Sequence, residues 1–414
     1  MMKFLPEALR SRHFTIYFIG NIFSYHAVQI FIFAESWIVH ELNKSPEALG
    51  MLGLYASLPT IIFNVFGGAV ADRFNKKVLV SVSQIFQAII FIIFAYSYAN
   101  GFLEYWHVYI IAAIISFSTA FELPAKMSYF PSLLEKINLS SGVVVDLFAW
   151  QGTRVIAPLI AGFIFALYGG SFALLFSCLL ILIFIVLFST TKPLYYPKKS
   201  GDGNPISDAF DGLKYIYQNK PMLVLLSLSF LVYLSGYAYL NMLPYIGVQI
   251  FKVGSKGTGL LMTAAGIGSV LPTIIFSKSG IPNKRLAICL SMLFSGLFLI
   301  LFAGSSVVYQ YIPLAAIIIG IIGFANSLYA TSVMSAIQIY VSEEFRGRVV
   351  GIFVMSFSFM SLGSLWVGTL GGFLDKILLT EHLGVLISLM LGGVILFLVG
   401  ITMFLFNTSL KKFK

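Results

Sequence analysis

From residue 14 onward the chain is a near-continuous series of apolar runs, each about 20 residues long and separated by short polar loops. A helix of about that length crosses the roughly 30 Å of hydrocarbon in a bilayer. In hydrocarbon every backbone amide must be bonded internally, so only helices and closed barrels can span it. The ten-residue alternating segments of a barrel are absent. The expected class is therefore an all-α membrane protein. Charged residues make up 10% of the chain, against about 25% in soluble domains. The start, Met1 to His13, is polar and basic. The apolar run behind it is too long for a signal peptide.

The runs predict twelve transmembrane helices, near 14–40, 47–71, 78–99, 105–125, 139–168, 170–190, 221–248, 257–277, 286–303, 309–340, 347–374 and 383–407. With the N-terminus inside, the inner loops and tails hold 21 Lys and Arg, Lys126 and Lys136 among them. The outer loops hold 4 (Lys44, Lys252, Lys256 and Lys376), and Arg154 is left inside a span. This bias places both termini in the cytoplasm. The net charge of +10 is thereby accounted for by topology and contact with anionic lipid, and no nucleic-acid partner is expected.

The one long polar stretch, 191–220, is rich in Pro, Gly and mixed charge. It reads as a cytoplasmic linker ending in an amphipathic segment with Phe210, Leu213 and Ile216 on one face. It divides the chain into a six-helix bundle over 1–190 and another over 221–414. The halves echo each other. Gly142 and Gly351 are 209 residues apart, as are Gly162 and Gly371, and Lys76 and Lys284 are 208 apart. A shared offset near half the length argues for two six-helix pseudo-repeats.

Between spans 2 and 3 lies a short charged loop, 67–77, with Gly67, Gly68, Asp72, Arg73, Lys76 and Lys77. Asp72 stands at the C-terminal end of span 2, where the helix dipole disfavours a carboxylate by about 0.3–1 kcal/mol. It calls for a cation or a helix N-terminus as partner, and Arg346 and Arg348 at the start of span 11 can supply both. The expectation is a cytoplasmic latch. The alternative is that these cations only set topology.

Gly68, Asp72, Arg73, Lys76 and Lys77 at their spacing resemble the loop motif of the major facilitator superfamily, with Asn75 standing where that family usually has Gly. The resemblance covers essentially the whole chain. Ser45-Pro46, Arg154 with Ala157-Pro158 and Gly162, Asp211-Gly212 and Arg346-Gly347-Arg348 resemble the branch of macrolide-efflux proteins and the enterobactin exporter. Pro124-Ala125-Lys126 also resembles the lysophospholipid-transporter branch. The resemblance implies alternating access around a central cavity built mainly from spans 1, 4, 7 and 10.

Ionisable side chains inside spans cost roughly 2.5–3.5 kcal/mol each on insertion scales and so mark candidate sites. They are His26, Glu35, Glu122, Asp146 and Arg154, the candidates for proton or substrate coupling. Arg154 needs an acid or carbonyls as partner. Asp146, eight residues away, lies about 12 Å along the same helix, so Glu122 is its expected partner. A plain surface pair of Glu122 with Lys126 at i+4 is the alternative. Tyr233, Tyr237 and Asn241 form a polar stripe on span 7. With Asn326, Tyr329, Asn21 and Tyr25 they are the candidate lining for an amphipathic cargo. The alternative is hydrogen bonding between helices.

The function expected is a proton-coupled exporter of an amphipathic small molecule such as a siderophore or drug, acting as a monomer in the cytoplasmic (inner) membrane. A lysophospholipid flippase, a siderophore importer and a non-transporting receptor are the alternatives. The proton gradient is the expected energy source and no cofactor is expected, because no phosphate-binding Gly-x-x-x-x-Gly-Lys-Ser/Thr loop occurs. Five scattered histidines and two isolated cysteines give neither a metal site nor an enzyme's reactive cluster.

Overall fold

The computed structural model describes residues 6–195, 205–276, 280–379, 382–406 and 413. Side chains at Asp72, Lys136 and Phe210 and the linker 196–204 lie outside the described residues. The described residues form helices and no strand. In order these are α1 (Arg12–Leu42), α2 (Pro46–Arg73), α3 (Lys76–Ala99), α4 (Tyr105–Tyr129), α5 (Leu139–Ser189), α6 (Pro205–Gln218) and α7 (Lys220–Gly236). There follow α8 (Tyr239–Tyr245), α9 (Ser255–Phe276), α10 (Lys284–Val308), α11 (Ile312–Tyr340), α12 (Glu343–Met355), α13 (Phe359–Leu378) and α14 (Leu383–Phe406).

Among the described residues, eleven stretches are long and apolar enough to cross a membrane. One of them, α5, holds 51 residues, about 76 Å of helix at 1.5 Å per residue and far more than a bilayer needs. It is turned at Gly169, whose φ of 82° breaks the helical path. Glycine reaches that left-handed conformation without a Cβ penalty. Two other predicted spans are interrupted. The seventh stops at Gly236 and restarts as α8, and the eleventh is divided into α12 and α13 by a 3-10 turn at Ser356–Ser358.

The chain forms two compact units, Met1–Glu35 with Pro59–Ile206, and Ser36–Leu58 with Ser207–Lys414. The division falls inside α1 and α2. In the first unit α1, α3, α4 and α5 meet around Phe14, Tyr17, Val80, Tyr129, Phe184 and Phe188. In the second, α7, α10, α11, α12 and α14 meet around Leu225, Tyr233, Met292, Tyr329 and Phe353. The amphipathic α6 contributes Ile216 to this core, while Leu213 is exposed. The two cysteines are free and buried.

The half-chain offset has a structural counterpart in the two units. Asn75 caps α3, its side chain accepting from the Lys77 and Val78 amides. Asn283, 208 residues on, caps α10 by accepting from the Leu286 amide. Lys77 Nζ donates to the Ser189 and Thr191 carbonyls, each at 2.6 Å, past the end of α5. Arg285, again 208 residues on, donates to the Phe404 carbonyl at 2.8 Å near the end of α14. In each unit a cation thus satisfies carbonyls left free at a helix C-terminus. Asn75→Ala is expected to cost about 1 kcal/mol through the lost cap, and Asn75→Gly only a few tenths. Thermal unfolding of the purified protein in detergent checks both.

Candidate functional site

A polar, charged core lies within the first unit, built by α1, α3, α4 and α5. Its centre is Glu122 on α4. Glu122 Oε1 is 2.5 Å from Lys126 Nζ one turn along the same helix, and both side chains are less than a tenth exposed. Gln84 and Gln87, from α3, donate to the two carboxylate oxygens at 2.6 and 2.7 Å. Lys126 also donates to Ser24 Oγ of α1 at 2.8 Å and lies 4.6 Å from the centre of the Phe184 ring. Charge, amides, hydroxyl and aromatic face together compensate two ions that the bilayer would otherwise reject.

Asp146 is the second acid of this core. It is half-buried and accepts from Asn21 Nδ2 at 2.9 Å and from the Tyr25 hydroxyl at 3.1 to 3.2 Å. Its donors are thus neutral and come from α1. Tyr25 packs edge-on against Trp150 at 5.0 Å.

One residue beyond Tyr25, His26 places Nδ1 2.8 Å from the Ile22 carbonyl and 3.4 Å from Thr153 Oγ1 of α5. Bonding to a carbonyl assigns the proton to Nδ1, which leaves Nε2 as an acceptor in the neutral ring. Arg154 follows Thr153, is half-buried and has partners of its own. Glu35, further along α1, is 5% exposed, and its Oε2 has no partner among the described residues.

Several sequence expectations are corrected here. Lys126 is no cytoplasmic loop cation. The α4 helix continues through Pro124 to Tyr129 and carries Lys126 into the core. Nor is Glu122 the partner of Arg154, since its oxygens are taken by Lys126, Gln84 and Gln87. Gln84 and Gln87 were missed. The signal available was their i, i+3 spacing on an otherwise apolar span, which places both amides on one face.

The expected stripe on span 7 is broken by the end of α7 at Gly236, so Asn241 does not continue it. Tyr233 and Tyr237 are buried and stacked at 5.1 Å. Asn326 donates to the Gly236 carbonyl at 2.8 Å and accepts from Ser295 at 2.8 Å. Trp366 donates to the Leu234 carbonyl at 3.1 Å. These side chains satisfy carbonyls that the break in the helix releases. The Tyr329 hydroxyl lies 3.1 Å from Ser229 Oγ and is fully buried. Asn326 and Tyr329 therefore tie helices together within the second unit.

Of the charged loop, Gly67 is the close-approach position, since a Cβ there would fall on the Ala120 carbonyl of α4. Gly68 has nothing within 4 Å of such a Cβ. Arg73 is exposed and Lys76 half-buried. Arg346 lies 4.0 Å from Glu343 and donates to the Val341 carbonyl at 3.4 Å, and Arg348 stands over the Phe345 ring at 5.3 Å.

Comparison with known proteins agrees with this architecture. The chain is 25% identical over 339 residues to the Staphyloferrin A transporter of Staphylococcus aureus, covering 80% of this chain and 82% of that one. It is 22% identical over 371 residues to the uncharacterized MFS-type transporter YfiS of Bacillus subtilis, covering 87% and 85%. Among solved structures it is similar to a bacterial homolog of the human lysosomal transporter Spinster in its inward-facing, unoccupied conformation (TM-score 0.72, 13% identity, 98% of each chain). It is also similar to the nucleoside transporter NupG (TM-score 0.71, 15% identity, 96% of this chain and all of that one). These likenesses show the fold. The family described as transmembrane secretion effector matches residues 5–413. With that match, the chain belongs to the transmembrane secretion effector family and is a transporter of the major facilitator superfamily.

Proposed function

We propose that this protein couples the inward flow of protons to the export of an amphipathic small organic molecule of siderophore type by alternating access. It works as a monomer in the cytoplasmic membrane, with twelve spans in two six-helix halves and both termini inside. The twelve follow when the arms of α5 on either side of Gly169 are taken as two spans. The observation that carries the reading is the core of Glu122, Lys126 and Asp146. Glu122 is paired with Lys126 there, while Asp146 accepts only from the neutral Asn21 and Tyr25 among the described residues. Asp146, a carboxylate bonded to neutral donors, is the group there that a single proton would neutralise. Such an arrangement is costly to bury and is of use where a proton must be taken up and given back. The siderophore class is supported by the likeness to the Staphyloferrin A transporter, and the outward direction by the family's description as a secretion effector.

Proteoliposomes with an imposed pH gradient test this directly. A gradient opposed to cargo movement is expected to drive flux, and Asp146→Asn to reduce that flux about tenfold or more, equivalent to at least ~1.4 kcal/mol of coupling. Cargo exchange without a gradient should survive in the variant. Flux indifferent to the gradient would remove the proton. Flux in the same direction as the protons would make the protein an importer. Movement of lysolipids alone would favour a flippase, the reading that Pro124-Ala125-Lys126 supports.

A further inference from the structure

We propose that His40, Tyr245 and His382 form a second proton-binding site, on the outer side, and that protonating it releases the outer ends of α1 and α2 from the second unit. The inference rests on the topology and proton coupling proposed above. It adds the device by which an external proton acts on the outer face.

The three residues form one contact. The His40 ring stands edge-on to Tyr245 at 5.8 Å, and the His382 ring stands against Tyr245 at 5.7 Å. The Tyr245 hydroxyl and His382 Nδ1 are 2.9 Å apart. Two imidazoles thus bracket one phenol. His40 is 3% exposed, and its Nδ1 is buried without a partner among the described residues. His382 adopts a left-handed φ of 73°, which a residue with a Cβ rarely holds unless its surroundings fix it. All three belong to the second unit, His40 through the outer arm of α1.

The charges around the contact set the sign of its response. Lys44, just beyond α1, and His382 both act on His40, and Asp375 and Glu47 act on Tyr245. The carboxylates are already engaged. Glu47 pairs with Lys376 at 3.3 Å, Asp375 accepts from the Gly384 amide at 2.7 Å, and Glu41 accepts from Trp37 at 3.1 Å. A protonated His40 would carry two N–H donors in a buried place, one of them at the unpartnered nitrogen. It would also face the like charge of Lys44. Neutral rings therefore favour the contact, and protonated rings oppose it. Histidine is the side chain whose charge changes in the range an external medium reaches.

Releasing this contact leaves a close seam held by the exposed Glu47–Lys376 pair and by glycine packing. α2 meets α13 through Gly50, Gly53 and Gly368, where added Cβ atoms would meet backbone carbonyls of the facing helix. In an exporter, a proton arriving from outside would then open the face through which cargo leaves.

Pulsed electron spin resonance on the full-length protein in nanodiscs tests the proposal, with nitroxides at Leu42→Cys and Leu378→Cys, both exposed. The native Cys178 and Cys289 are buried. The distance distribution is recorded at about pH 8 and about pH 5, either side of the histidine range. A short distance is expected at the higher pH, with most of its amplitude moving to a longer one at the lower. His40→Asn with His382→Asn should remove the difference between the two. Tyr245→Phe, which keeps the ring and loses the hydroxyl, should show the longer distance already at about pH 8. The proposal is overturned if the unaltered protein shows no shift, or if the double variant keeps it. Gradient-driven flux is measured on the same samples. Flux without a distance shift sinks the outer site alone, whereas a shift without flux sinks the proton-coupled transport reading.

Discussion

Lys126→Met is expected to destabilise the first unit by about 3–5 kcal/mol, the cost of leaving a buried carboxylate without its cation. Both side chains of the pair are less than a tenth exposed, so water cannot take over. Gln84 and Gln87 continue to donate to Glu122, which places the expected value in the lower part of that range. Adding Glu122→Gln should restore most of the stability, because a neutral amide and a thioether leave no charge to compensate. Transport should be lost in both. Thermal unfolding in detergent across the four members of the cycle isolates the pairwise energy. A single variant as stable as the unaltered protein would mean that Lys126 and Glu122 are solvated, and the coupling site would have to be sought elsewhere.

Gly53→Val should abolish gradient-driven transport. A Cβ at this position falls on the Ser361 carbonyl and the Ser364 hydroxyl of α13. The first is backbone and cannot rotate away, so α2 and α13 must separate. Overpacking of this kind costs typically 1–3 kcal/mol, and here the strain is confined to one state of the seam. A transporter that must visit the closed seam in every cycle is then held away from it. Spin labels at Leu42→Cys and Leu378→Cys should report the longer distance irrespective of pH. Gly152→Ala is the control. It also places a Cβ within a membrane helix, but nothing lies within 4 Å of it, so transport and stability should be unchanged. Normal transport by Gly53→Val would mean that the seam is not closed during turnover.

Whether a residue can be read from the sequence depends on the range of the interaction that fixes its role. The membrane helices were legible because hydrocarbon imposes a local rule, about 20 apolar residues to satisfy their own backbone. The half-chain offset was legible too, and at Asn75 and Asn283 and at Lys77 and Arg285 it recurs as matched caps. The pairing of Glu122 was only half legible. Its i+4 neighbour Lys126 was visible as an alternative, but not that both are buried.

By itself the sequence determined an all-helical membrane chain, with its charges concentrated at a few positions on α1, α4 and α5. Hydropathy is a property of each segment, and an intramembrane charge is conspicuous wherever it stands. Only the tertiary structure decided which of those charges meet. Glu122 finds Gln84 and Gln87 35 to 38 residues away, and Asp146 finds Asn21 and Tyr25 more than 120 away. Such contacts depend on how helices rotate and approach. That is fixed by packing choices, such as the glycines of α2 against α13, which no local periodicity records. The same packing turned Asn326 and Trp366 of the second unit inward, to satisfy the Gly236 and Leu234 carbonyls where α7 ends.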